Sequence, residues 1–122
     1  MPNIKGYTSI EKKVWGDTKC VCSTDAFSVH HLNINKGGFC SEHKHLYKTN
    51  IFHIIHGKLS ITIYSEGNLT ESAVTIHTGQ SMSVEPNVYH KFEALENTEC
   101  LEIYKPQELS EDIQRRTVGG KE

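Results

Sequence analysis

The sequence predicts an all-β domain, a sandwich or barrel of short strands. Between Ala26 and Leu101, β-branched and aromatic residues gather in seven runs of four to nine residues. Gly, Asn and Pro residues able to take turn dihedrals separate the runs. Nothing in that stretch keeps a 3.6-residue apolar period.

The first run, Phe27–Asn35, ends at the Lys36-Gly37-Gly38 turn. The second, Asn50–Ile55, alternates so that Asn50, Phe52 and Ile54 face inward and His53 faces outward. After His56-Gly57 comes Leu59–Tyr64, whose alternation of apolar and polar residues gives one core face and one solvent or partner face. A turn at 65–68 leads to Ala73–His77, and Thr78-Gly79 leads to Ser81–Val84. The Glu85-Pro86-Asn87 turn precedes His90–Ala94, and Glu99–Tyr104 closes the set. Residues 26–104 therefore form the barrel of a single domain spanning 1–122. Residues 1–25 are an N-terminal arm anchored at Val14-Trp15-Gly16. Residues 105–122 are a tail in which Glu108–Arg116 forms a helical turn or drapes over the barrel, and Gly119–Glu122 frays.

With 122 residues, 36% hydrophobic and 23% charged, the chain is sized for one core. Its apolar runs are too short to cross a membrane. A net charge of −2, without a stripe of Lys and Arg, argues against nucleic acid as a partner. The first residues lack the apolar stretch of a signal peptide, so a cytoplasmic location is expected, with Cys20, Cys22, Cys40 and Cys100 as reduced thiols.

The chemistry lies in the eight histidines. His43 and His45 are two apart, so in an extended segment both imidazoles share a face and can converge on one cation. His90 opens a strand after the Pro86 turn and is the expected third ligand. The expected cofactor is one divalent metal per chain: zinc, iron, manganese or nickel. His30, His31, His53, His56 and His77 read as surface or satisfied core residues.

The segment from Gly37 to Gly57 closely resembles the first motif of the cupin family: Gly, five residues, His-x-His, four residues, a Glu position and six residues to Gly. Gly79, Pro86 and His90 resemble the second motif. The resemblance implies a double-stranded β-helix, or jelly-roll, barrel with a metal in its mouth. The Glu position holds Asn50, whose neutral amide oxygen is a weaker donor, so the implied set is three histidines, with Asn50 at most a weak fourth partner or else a hydrogen-bonder behind the ligands.

A narrower resemblance is to the cupin domain of type II mannose-6-phosphate isomerases. It is carried by Trp15-Gly16, Lys48 at a usual Arg position, Cys100–Ile103 and Glu111–Arg115. It implies a sugar phosphate as small-molecule ligand, held by Lys48, Arg115 and Asn50. His43 falls at a Gln ligand position of that family and Asn50 at a Glu, so two of four ligand positions differ in type. The alternatives are a three-histidine non-haem iron dioxygenase similar to the thiol dioxygenases, and a small-molecule-binding cupin without turnover. A homodimer is expected, because exposed strand edges and an alternating second face are commonly covered by a partner.

Overall fold

The computed structural model describes residues 9–65, 71–106 and 112–121. Every regular element among them is a strand: β1 (Glu11–Lys13), β2 (Gly16–Ser23), β3 (Ser28–Ile34), β4 (Gly38–Phe39), β5 (His43–Lys44), β6 (Thr49–His56), β7 (Lys58–Tyr64), β8 (Glu71–His77), β9 (Ser81–Val84), β10 (His90–Ala94), β11 (Thr98–Lys105), β12 (Gln114–Arg115) and β13 (Gly120–Lys121). They form two antiparallel sheets. One runs β1-β2-β3-β11-β6-β9; in the other, β10 pairs with β7 on one side and with β4 and β5 on the other, β8 extends β7, and β12 and β13 cover β5 and β4. This is the jelly-roll arrangement expected.

Alternation builds the core. Phe52 and Ile54 of β6 and Leu32 of β3 point inward from one sheet, and Leu59 and Ile61 of β7 from the other; all five are fully buried. Burying a side chain of this kind stabilises the fold by about 1.5–3 kcal/mol each. Trp15 and Phe92 meet edge to face within the core, with ring centroids 5.2 Å apart. His53 faces out, as expected, and its Nδ1 pairs with the Ser81 hydroxyl at 2.7 Å.

All seven expected strands form, but the barrel is larger than 26–104. β2 pairs with β3 along its length, from Gly16 opposite Ile34 to Ser23 opposite Ser28, with a bulge between Cys20 and Cys22. Its alternation is blurred by that bulge and by polar residues on both faces, which is why the segment reads as an arm. At the other end Gly120 and Lys121 are not frayed but pair with β4, and Gln114–Arg115 drapes as a strand against β5 instead of forming a helical turn. The expected turn at 66–68 and the part of the tail at 107–111 lie outside the described residues.

Gly57 joins β6 to β7 with φ +117°, and a Cβ there would sit 2.6 Å from Thr98 Oγ1 and 2.7 Å from the Asn97 carbonyl. Gly79 also has positive φ, at +85°, but open space around it. Gly57→Ala should lower the denaturation midpoint by the equivalent of about 1–3 kcal/mol, and by clearly more than Gly79→Ala. Equal effects in chemical denaturation would show that backbone strain alone, without the Thr98 contact, accounts for the requirement.

Candidate metal centre

Antiparallel pairing places His43 of β5 directly opposite His90 of β10. His45 lies two residues beyond His43 on the same face, as the spacing predicts, and all three are buried. Ring centroids are 4.5 Å apart for His43 and His90, 5.1 Å for His43 and His45, and 5.7 Å for His45 and His90. One ring nitrogen from each lies within 4.8 Å of the others, the only such cluster of His, Cys, Asp or Glu among the described residues.

Each ring is aimed by the chain around it. His43 Nδ1–H donates to the Ser41 carbonyl at 2.7 Å, His45 Nδ1–H to the Asp112 carbonyl at 2.9 Å, and His90 Nδ1–H to the Val88 carbonyl at 2.9 Å. A carbonyl can only accept, so these bonds fix the tautomer and leave the Nε2 lone pair of every ring facing the cluster. Nε2 of His45 and of His90, together with Asn50 Oδ1, are buried atoms without a hydrogen-bond partner. Buried acceptors left this way cost free energy unless something electron-poor meets them. Three convergent imidazole lone pairs fit a divalent transition metal, and Asn50 Oδ1 is a further buried acceptor without a partner.

Burial keeps the rings neutral. It pushes His43 down to about 3, with the neighbouring His90 acting in the same direction. It pushes His45 down to about 4, against the bond to the Asp112 carbonyl, and it lowers His90 as well. Cys40, on the cavity wall, is held as an inert thiol: burial raises it to about 12, partly offset by the Phe92 backbone N–H.

The second-motif turn is tied to the first motif. Asn87, at φ +65°, takes the left-handed conformation that Asn tolerates, and its N–H donates to the His45 carbonyl at 2.6 Å. The His45 loop is also held by the Asp112 carboxylate, which accepts from the N–H groups of Leu46 at 2.8 Å and Tyr47 at 3.4 Å.

A cavity of about 490 Å³ opens beside His43, lined also by Trp15, His30, Glu102, Tyr104 and Arg115, a size suited to a small molecule. Arg115 is opposite His43 in register, and its Nη1 donates to Ser41 Oγ at 2.7 Å. Asn50 is buried and points inward from β6. Lys48 is 1% exposed, with its ammonium 3.8 Å from Asp112 and over the Tyr104 ring. Tyr47 stands exposed in solvent.

Glu102, His30 and Asp112 lie outside the set expected from the sequence. Glu102 of β11 and His30 of β3 are opposite each other in register and both line the cavity. Alternation carried from Leu32 back to His30, or from Cys100 on to Glu102, is the signal that marks both as inward.

A cupin-domain model matches residues 30–104. The chain belongs to the cupin family. Among solved structures this cupin is similar to oxalate decarboxylase from Bacillus subtilis, with TM-score 0.78 and 17% identity, covering 88% of this chain and 30% of that one. The chain thus spans less than a third of the decarboxylase. It is also similar to KdgF from Halomonas sp., with TM-score 0.73, 14% identity and coverage of 86% and 94%. Pac13, described as a nucleoside dehydratase, gives TM-score 0.78, 13% identity and coverage of 95% and 93%. At such identities the likeness shows the fold alone. No protein of curated function matches the chain.

Because the folded histidines sit below the ordinary value of 6.5, the unfolded chain takes up protons first on acidification. The metal-free protein should therefore lose stability as pH falls from about 6.5 toward about 4, a window whose upper part precedes carboxylate titration. Melting temperatures recorded between about pH 7 and pH 5 check this: the wild type should fall, and His43→Gln should flatten the slope.

Proposed function

We propose that this cupin holds one divalent metal through His43, His45 and His90 and binds a small anionic molecule beside it, a sugar phosphate being the reading favoured. The observation that carries it is the pairing of Arg115 with His43: a fixed guanidinium stands next to the metal ligands on the wall of one cavity. Guanidinium suits phosphate or carboxylate oxygens in bidentate geometry. Lys12 and Lys13 line the same cavity, Lys13 paired with Glu11 at 2.9 Å.

The chemistry that a bound divalent cation supplies at such a site is polarisation of a substrate oxygen. The chain's own residues do the rest. Arg115 orients the anionic end of the ligand. Trp15 and Phe92 form an apolar wall that limits water. The Glu102 carboxylate and the His30 imidazole, facing the same space, are the groups able to hold a proton at Oε or at a ring nitrogen, as an isomerisation by proton transfer requires.

The neutral donor set favours a second reading, an iron dioxygenase of the thiol-dioxygenase kind, since no carboxylate from position 50 occupies a coordination place. Metal analysis of untagged protein should find one equivalent per chain, and His45→Ala should remove it. Hexose phosphates should raise the melting temperature of the metal-loaded protein while the free sugars do not, and Arg115→Ala should abolish most of that shift. Oxygen uptake with iron and a small thiol, without any response to hexose phosphates, would give the dioxygenase reading precedence.

The homodimer reading is supported by the outer face of the β3-β11-β6 strip. There Val29, Ile103 and Ile51 lie side by side in register, with Leu101 between His31 and His53. A row of apolar side chains pointing away from the core suits a second copy. Light scattering at micromolar concentration should give twice the chain mass, and Ile103→Lys should reduce it to the monomer.

A further inference from the structure

Asn50 occupies the place where the cupin pattern has a carboxylate, and its immediate partner is a carboxylate. Asn50 Nδ2 donates to Glu102 Oε2 at 3.0 Å, and both residues are buried. In that bond the amide presents its nitrogen to Glu102 and so turns Oδ1 the other way. That oxygen is one of the three buried acceptors left without a partner, alongside Nε2 of His45 and of His90. The rings that flank this row touch the histidines: Tyr104, opposite Asn50 in register, lies 5.1 Å from the His45 ring, and Phe52, two residues along β6, lies 6.5 Å from the His90 ring.

We infer that Glu102 is a positioning residue for the metal: it orients the Asn50 amide so that Oδ1 serves as fourth donor, and it supplies from one residue further out the negative charge that a carboxylate at position 50 would place on the metal directly. This rests on the metal-binding reading above. The carboxylate stands on β11 and its hydrogen-bond donor on β6, which leaves a neutral donor set at the metal and a charge next to it. A dication held this way keeps its attraction to the site while its coordinating atoms remain neutral.

The test is zinc binding to metal-free protein by calorimetry, with the melting temperature of the metal-free form recorded for every variant. Glu102→Met, which keeps the volume and removes the acceptor, should weaken zinc about 10–100-fold. Glu102→Gln, which retains an acceptor oxygen but not the charge, should lose less. Exchanging the pair, Asn50→Glu with Glu102→Gln, should restore affinity to at least the wild-type level, since carboxylate and donor again face each other. Wild-type affinity in Glu102→Met, or an exchange variant as weak as Glu102→Met, overturns the inference while leaving the three-histidine site standing. Absence of zinc binding by the wild type overturns both. Should Glu102→Met fail to fold, the metal-free exchange variant must still melt above Asn50→Glu alone, in which two carboxylates oppose each other; equal melting temperatures overturn the inference.

Discussion

Three imidazoles whose Nδ1–H groups are all committed to backbone carbonyls impose the main constraint on this barrel. Once those bonds are made, the Nε2 lone pairs have nowhere to turn, and the space they share becomes a place for a cation and for little else. The surrounding structure meets that constraint from several directions. Ser41 and Val88 supply carbonyls from within two residues of the ring they hold, so the local strand geometry aims His43 and His90. His45 needs a carbonyl from Asp112, 67 residues away, and so depends on the tail being in place.

Asp112 is consequently more than a surface acid. Its carbonyl holds His45, its carboxylate accepts from the Leu46 and Tyr47 N–H groups, and the same carboxylate balances the buried ammonium of Lys48. A buried lysine without a counter-charge is costly, and removing one partner of a buried pair typically costs about 3–5 kcal/mol. The charge pair therefore acts as a clasp between the loop after β5 and the segment that enters β12, and it accounts for the burial of Lys48.

What could be read from the sequence is what depends on spacing along one strand. His43 and His45 share a face because two residues is the period of a strand, and Phe52, Ile54 and His53 fall on the sides that the same period assigns. The Pro86 turn and His90 are equally local. What could not be read depends on partners far apart in the chain. The pairing of β6 with β11 brings Glu102 to Asn50 across 52 residues, and nothing in either strand alone announces it. The burial of Lys48 needs Asp112, and the strands β2, β12 and β13 are short, polar or bulged, held by pairing and not by their own propensity.

The cavity shares His43 of β5 and Phe92 of β10 with the elements that carry the metal centre, but it draws much of its remaining lining from β1 and from the segment Ile113–Gly119. Changes in β1 or at Val118 alter that lining without touching the carbonyls of Ser41, Val88 and Asp112 that hold the imidazoles. Selection can thus retune ligand preference on the rim while the coordination chemistry below is inherited intact, a separation that lets one small barrel serve as the starting point for many activities.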